Sequence, residues 1–172
     1  MKGFYKDYPG IYVPVNKTLT IKGGAAGTGK LTAQNGTEEH SSGTGAGIGA
    51  GYGLSCGHIN IQGGEITATG QDDSAGIGGA SSGNCGNITI SGGKINATGD
   101  GNAAGIGGGA FMSCGDITIE STVISVTAKS GSSSACSIGK GYGSTASCGT
   151  VTIGGTEYSG GTSSGTFTYP QP

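Results

Sequence analysis

The feature that most constrains this chain is an internal repeat. The tetrapeptide Ala-Gly-Ile-Gly occurs at residues 46–49, 75–78 and 104–107, which gives a period of 29 residues. In each copy an Ile-x-Ile tripeptide follows, at residues 59–61, 88–90 and 117–119. A looser fourth copy ends in Val151-Thr152-Ile153, and a partial copy with Leu19 and Ile21 precedes the others. A period of this size is typical of proteins that stack one structural unit on the next.

Each copy holds three short segments in which apolar and polar residues alternate, and this alternation predicts strands buried on one face. Gly-Gly at residues 63–64 and 92–93, and polar runs at 70–74 and 99–103, predict the turns between them. Three strands per copy predict an all-β chain that forms a parallel β-solenoid of about four to five coils. A propeller blade would need roughly 40–45 residues and four strands.

Stacked coils place equivalent residues about 4.8 Å apart in columns. The predicted inward columns consist of Ala46, Ala75 and Ala104; Ile48, Ile77 and Ile106; Ile59, Ile88, Ile117 and Val151; Ile61, Ile90, Ile119 and Ile153; and Ile66, Ile95 and Ile124. On the same constant step, Thr69, Thr98 and Thr127 form an outward column. An ice-binding surface needs such a regular array, so ice binding is one functional alternative.

The pattern divides the chain into three parts. We expect an N-terminal cap at residues 1–18, solenoid repeats at 19–154 and a C-terminal cap at 155–172, because uncovered solenoid ends invite edge pairing. The repeats comprise a partial copy at 19–44 and copies at 45–74, 75–103, 104–135 and 136–154. Uncovered ends would instead allow copies of the chain to associate end to end.

Composition excludes several classes of protein. Among 172 residues there are 41 Gly, and Gly disfavours helix interiors, so we expect almost no helix. Eight Lys, no Arg and a net charge of −2 argue against nucleic-acid binding. No apolar run approaches the roughly 18 residues that cross a bilayer, so we expect no membrane insertion. Residues 1–10 lack the apolar stretch of a signal peptide. The protein is then either intracellular or a mature or excised piece of a longer chain, and we favour the second.

Four cysteines also follow the repeat. Cys56, Cys85, Cys114 and Cys148 each precede a Gly, so they form one column. We expect most of them to be buried free thiols, although neighbouring coils would also allow a disulfide such as Cys56 to Cys85. Cys136 lies outside the column. Compact metal-ligand spacing is absent around the cysteines and around His40 and His58, so the sequence does not favour a metal site of this kind.

The candidate binding residues lie in the predicted corners. Three aromatic residues follow the Ala-Gly-Ile segments at similar places, namely Tyr52, Phe111 and Tyr142, and their rings could stack on sugars. The polar loops, expected at the opposite corner, carry Asp72, Asp73, Asp100 and Asn102. Their oxygens suit sugar hydroxyls, and calcium is the one cofactor that neighbouring loops could share. The plainer interpretation is that these are turn residues. No catalytic dyad or triad is visible, so we expect no enzymatic activity and assign no catalytic residue.

The repeat unit resembles a known group of sequences. Residues 75–79, Ala-Gly-Ile-Gly-Gly, and 85–99, Cys-Gly-Asn-Ile-Thr-Ile-Ser-Gly-Gly-Lys-Ile-Asn-Ala-Thr-Gly, are similar to Gly-rich repeats of large surface and secreted proteins of Gram-positive anaerobes. Some of those proteins are described as carbohydrate-binding. The resemblance extends over residues 11–155. It implies an extracellular or cell-wall-associated location and a polysaccharide or cell-surface glycan as partner, but it identifies no binding residue.

Together these observations favour a non-enzymatic module of a surface protein that binds glycans or mediates adhesion. A structural spacer or a self-assembling fibre subunit is the first alternative, and an ice-binding solenoid is the second.

Overall fold

The computed structural model describes residues 7–24, 28–35 and 43–170. Four stretches lie outside the described residues: 1–6, 25–27, 36–42 and 171–172. They include parts of both expected caps, part of the partial copy, and His40. The described residues form sixteen strands and no helix, and thus no helix that could span a membrane. In chain order the strands are β1 (Ile11–Tyr12), β2 (Thr18–Ile21), β3 (Lys30–Gln34), β4 (Ile48–Gly49), β5 (His58–Ile61), β6 (Glu65–Thr69), β7 (Ile77–Gly78), β8 (Ile88–Ile90), β9 (Lys94–Thr98), β10 (Ile106–Gly107), β11 (Ile117–Ile119), β12 (Ser125–Lys129), β13 (Ile138–Gly139), β14 (Val151–Ile153), β15 (Thr156–Tyr158) and β16 (Thr166–Tyr169).

The strands form three sheets, and each of the first four coils contributes one strand to each sheet. The short-strand sheet has the order β1-β4-β7-β10-β13, the middle sheet contains β2-β5-β8-β11-β14, and the long-strand sheet contains β3-β6-β9-β12. Pairing between successive coils is parallel throughout. Four coils have all three strands, and a fifth has β13 and β14. The predicted parallel β-solenoid is therefore confirmed.

The core consists of columns of isoleucine in the middle and short-strand sheets. Ile61 is opposite Ile21 on one side and Ile90 on the other, and the same column continues through Ile119 to Ile153. In these columns the isoleucines of the interior coils are fully buried. Alternation explains this arrangement, because every second side chain of a strand points to the same face. The predicted Ile48, Ile59 and Ile61 columns are confirmed.

The long-strand sheet departs from the constant step of 29 residues. Ile95 is opposite Val126, and Asn96 is opposite Thr127. Ile124, expected in the core, is 61% exposed. The reason is chain length: the turn between Ile119 and Val126 is two residues longer than the turn between Ile90 and Ile95. The prediction that Ile124 continues the Ile66 column is therefore wrong.

The same shift removes the outward threonine column. Thr98 is opposite Lys129, so the predicted series of Thr69, Thr98 and Thr127 ends after two coils. The ice-binding hypothesis loses the observation that motivated it.

Four of the five short strands, β4, β7, β10 and β13, are Ile-Gly pairs because their second position excludes a side chain. Gly49, Gly78, Gly107 and Gly139 have φ between +133° and +137°, a region that L side chains rarely adopt. A Cβ on Gly78 would also overlap the carbonyl oxygen of Gly107 in the next coil. Backbone therefore stacks on backbone along this side of the solenoid, and each coil turns sharply there.

Both end segments take part in the sheets. β1 lies within residues 1–18, yet it pairs in parallel with β4, so the first coil begins there. At the other end β15 pairs antiparallel with β14, and β16 pairs antiparallel with β12. These two strands bring Tyr158, Phe167 and Tyr169 against the end of the core.

Candidate functional site

Two turns flank each short strand, and they lie close together. The "acidic turns" (residues 70–74 and 99–103) precede a short strand, and the "ring corners" (residues 50–56, 108–114 and 140–148) follow one. Because a short strand has only two residues, a backbone hydrogen bond joins the segment before the strand to the segment after it. The Ala75 N–H donates to the Gly79 carbonyl at 2.9 Å, and the Ala104 N–H donates to the Gly108 carbonyl at 3.0 Å. The two kinds of turn therefore border the same side of the solenoid.

Acidic turns also contact the ring corner of the next coil. The Ala110 N–H donates to the Asp73 carbonyl at 3.0 Å, and the Tyr142 N–H donates to the Asn102 carbonyl at 2.8 Å. The sequence analysis placed the rings and the polar loops on opposite corners, whereas the structure joins them through backbone hydrogen bonds. Their order within one repeat did not show that a two-residue strand would bring both turns together.

Phe111 and Tyr142 form an aromatic pair on successive coils. Their ring centroids are 5.7 Å apart at an interplanar angle of 67°, an edge-to-face contact. Hydrogen bonds hold the backbone beneath this pair, since the Phe111 N–H donates to the Tyr142 carbonyl at 2.7 Å and the Thr145 hydroxyl donates to the Phe111 carbonyl at 2.7 Å. The Phe111 ring occupies the space that a side chain at Gly143 would need. Both rings nevertheless remain nearly half exposed, at 48% and 46%.

Tyr52 lies further along the same side. It follows Ile48 by four residues, as Tyr142 follows Ile138, and it is 54% exposed. The coil between Tyr52 and Phe111 carries Ser81 and Ser82 at this place. Tyr52 is therefore separate from the Phe111–Tyr142 pair, although it points from the same kind of corner.

Two further exposed rings lie near Tyr52, and the sequence analysis missed both. The Tyr12 hydroxyl donates to the Ser55 carbonyl at 3.3 Å, and the segment of Tyr8 approaches the second coil where the Tyr52 N–H donates to the Asp7 carbonyl at 3.0 Å. Both lie in the segment expected to be a cap. Ile11 could have revealed Tyr12. It matches the first position of the Ile-Gly strands, so the residue after it is expected to point outward.

The acidic residues hold successive turns together. Thr44 donates its hydroxyl proton to Asp72 Oδ2 at 2.9 Å, and the Asp72 N–H donates to Asp100 Oδ2 at 2.9 Å. The Asn102 N–H donates to Asp73 Oδ1 at 2.6 Å. Each bond joins one coil to the next, as expected of interlocking turn residues.

These bonds bear on the calcium hypothesis. Within the described ranges, no three His, Cys, Asp or Glu side chains lie together as a group that could hold a metal ion. Asp72 and Asp73 point their oxygens at donors of neighbouring turns. Calcium between neighbouring loops stays a prediction.

A second polar ladder runs along the middle sheet. His58 Nδ1 accepts the Asn87 N–H at 3.0 Å, Asn87 Oδ1 accepts the Asp116 N–H at 3.2 Å, and Asp116 Oδ1 accepts the Thr150 N–H at 2.8 Å. Each outward polar side chain thus binds the backbone of the following coil. This column therefore has a clear structural role.

The cysteine column is present, but its oxidation state differs from the expected one. The backbone of Cys85 pairs in parallel with that of Cys114, and the backbone of Cys114 pairs in the same way with that of Cys148. Cys114 and Cys148 form a disulfide with a Cα–Cα distance of 4.5 Å, so the expectation of free thiols is wrong for these two. Cys56 and Cys85 are free and buried, and Cys136 is free and half-buried, where burial raises the pKa of its thiol. Spacing alone allows both states, because coil spacing already lies in the range that a disulfide needs.

A comparison with known families agrees with this geometry. A family model described as a beta helix repeat matches residues 59–82 and 88–110, which run from β5 through the third coil to the ring corner after β10. No curated protein and no solved structure gives a significant match. The stacked coils and this match agree: the described residues form a parallel β-solenoid, and the segments at residues 59–82 and 88–110 are beta helix repeats.

Proposed function

We propose that this chain is a non-enzymatic glycan-binding module that contacts polysaccharide through the ring corners. The observation that carries the proposal is the Phe111–Tyr142 pair, two rings on successive coils that pack edge to face above hydrogen-bonded backbone and remain nearly half exposed. A sugar ring presents C–H groups that pack on an aromatic face. Rings that already pack against each other have less side-chain freedom to lose on binding, which lowers the entropic cost.

The order of the rings supports a long ligand. Tyr52, Phe111 and Tyr142 come from coils two, four and five, so they follow the direction in which the coils stack. Successive coils are about 4.8 Å apart, so these rings extend over three steps, or about 14 Å. A linear polysaccharide that runs along the stack would meet Tyr52 and the ring pair in turn, with Ser81 and Ser82 between them.

Polar groups for the sugar hydroxyls lie beside the rings. The Asn102 carbonyl binds the Tyr142 N–H, and the Asp73 carbonyl binds the N–H next to Phe111, so both acidic turns adjoin the pair. A carboxylate oxygen has more than one acceptor position, so Asp73 can accept a hydroxyl while it retains the Asn102 N–H. Rings with a few convergent polar groups are the usual composition of a ligand site.

The proposal places the module outside the cell, at a surface or in a wall. The sequence resemblance implies this location, and the Cys114–Cys148 disulfide suits an oxidising compartment.

Affinity electrophoresis in gels that contain soluble polysaccharides, run with calcium and with a chelator, tests the proposal. Phe111→Ala and Tyr142→Ala should each weaken retention about tenfold, which corresponds to about 1.4 kcal/mol. Ile124→Ala is the matched control, because Ile124 is an exposed apolar residue on a different corner and should leave retention unchanged. Thermal unfolding of each variant checks that the fold is retained.

The proposal fails if no polysaccharide retards the parent protein. It also fails if both ring variants are retarded as strongly as the parent. The structural spacer would then be the better interpretation of the stack.

A further inference from the structure

Three successive steps of the cysteine column share one backbone hydrogen bond, and the two later steps are in addition parallel β-bridges, Cys85 with Cys114 and Cys114 with Cys148. At each step the cysteine N–H donates to the carbonyl of the residue before the next cysteine: Cys56 to Asn84 at 2.7 Å, Cys85 to Ser113 at 3.0 Å and Cys114 to Ser147 at 2.8 Å. The glycine after each cysteine repeats the pattern, since Gly86, Gly115 and Gly149 each donate to the preceding glycine of the series at 3.2–3.3 Å.

One of these steps carries a disulfide. Cys114 and Cys148 are bonded with a Cα–Cα distance of 4.5 Å. Parallel pairing of two coils brings these residues together although they are 34 apart in sequence. Cys56 and Cys85 are 29 apart, and their step has the same hydrogen bond from the cysteine N–H to the residue before the next cysteine.

The side chains of Cys56 and Cys85 are neighbours inside the stack of coils. Both residues are buried, and a hydrogen bond between their side chains is the largest cause of a raised pKa at Cys85, followed by burial. Their sulfur atoms also contact carbonyls of the coil interior, Cys56 Sγ at 3.7 Å from the Gly78 oxygen and Cys85 Sγ at 3.8 Å from the Gly57 oxygen. Neither thiol is turned toward solvent.

The order of the column decides which pairs can coexist. Only neighbours in the column are close enough to bond. A bond between Cys85 and Cys114 would leave Cys56 and Cys148 three coils apart and unable to pair. Pairing Cys56 with Cys85 and Cys114 with Cys148 is the one arrangement that uses all four residues.

We propose that Cys56 and Cys85 are a second disulfide site, so that the fully oxidised chain has two coil-to-coil bonds in one column. The oxidant is a small disulfide such as oxidised glutathione. One cysteine thiolate attacks it, forms a mixed disulfide and releases one glutathione thiol. The second cysteine then displaces the other glutathione, so two protein thiols lose two electrons and one glutathione disulfide becomes two thiols.

Burial determines when this bond forms. A glutathione molecule cannot reach the sulfurs in the closed stack, so oxidation belongs to folding, before the second and third coils close on each other. Refolding the reduced, denatured chain in a glutathione redox buffer therefore gives both cysteines access to the oxidant.

The test uses the Cys136→Ser variant, which removes the thiol outside the column. After refolding, thiol titration in denaturant should find no free thiol, and peptide mapping without reductant should find a peptide that joins Cys56 to Cys85. The wild-type chain, treated in the same way, should retain one thiol, at Cys136. Cys56→Ser is the control and should retain two thiols, at Cys85 and Cys136.

Two results would overturn the proposal. One is two free thiols in refolded Cys136→Ser, with Cys114–Cys148 as its sole bond. The other is a peptide that joins Cys85 to Cys114. The wild-type thiol count gives the same decision if Cys136→Ser fails to refold, because three free thiols, the number in the present structure, would exclude the second bond.

Discussion

The two ends of the solenoid are closed in different ways. At the C-terminal end Ile153 is 2% exposed and Val151 is fully buried, because β15 and β16 cover the last coil. Tyr158 and Phe167 meet there edge to face, with centroids 5.9 Å apart. At the N-terminal end Ile21 and Leu19, which continue the same two columns, are half-buried.

Position in a column therefore does not by itself determine how much a residue contributes to the free energy of unfolding. Ile21 and Ile153 have the same role in the repeat, but Ile153 lies between two strands, β11 on one side and β15 on the other, and is nearly fully buried. The first coil is bound to the second by strand pairing and by an exposed ion pair, Lys30 Nζ to Glu65 Oε2 at 3.0 Å. We therefore expect local unfolding to begin at the first coil.

The largest effect should come from shortening the two ends of one column. Ile153→Ala removes a buried side chain and leaves a cavity under the cap, and we expect a loss of about 3 kcal/mol in unfolding free energy. Ile21→Ala removes a half-buried side chain and should cost about 1–1.5 kcal/mol. Chemical denaturation measures both values. Equal losses would show that the two ends are closed equally well.

Phe167→Ala removes part of the C-terminal cover itself. The ring is half-buried, so we expect a loss of about 2 kcal/mol, less than for a fully buried Phe. Thr166→Ala, an exposed neighbour on the same strand, should change stability by less than about 0.5 kcal/mol. In a chain that lacks the Phe167 ring, Ile153→Ala should cost less than it does alone. Strict additivity would mean that Phe167 does not protect Ile153.

Much of the fold was predictable because several copies of the repeat show the same pattern of apolar residues and glycines. The Ile59 and Ile61 columns follow from alternation and from a constant step, and the turns follow from paired glycines. The ring residues could also be found, since Tyr52 and Tyr142 each lie four residues after a short-strand isoleucine.

Other features depend on contacts that the repeat does not encode. Residues 155–170 lack the pattern, so the antiparallel direction of β15 and β16 could not be predicted from it. The turn before β12 contains two additional residues, and a shift of two residues leaves the same faces inward, so alternation gave no warning that Ile124 was misplaced. Likewise, equal spacing of four cysteines does not state which neighbours bond.

The corrected register gives the third prediction. Val126 is fully buried between Ile95 and Tyr169 of the cap, so Val126→Ala should cost about 1.5 kcal/mol. Ile124→Ala, two residues earlier, should cost less than about 0.5 kcal/mol, because its side chain is already in solvent. Thermal and urea unfolding of the pair decide between the two registers. A larger loss of unfolding free energy for Ile124→Ala than for Val126→Ala would show that Ile124 is in the core. The repeat would then keep its constant step of 29 residues, and the cap would not cover Val126.

The smallest effect should come from the ion pair at the N-terminal end. The side chains of Lys30 and Glu65 are 74% and 43% exposed, and exposed pairs contribute little because water and salt screen them. Lys30→Ala should therefore cost less than about 0.5 kcal/mol at low salt, and the cost should disappear in about 1 M salt, where the screening length is roughly 3 Å. Lys94→Ala is the matched control, since Lys94 is opposite Glu65 on its other side while Lys30 makes the ion pair. A loss above about 1 kcal/mol for Lys30→Ala that persists in salt would show that the first coil is held as firmly as the last. The contrast between a packed C-terminal end and a weakly held N-terminal end would then be wrong.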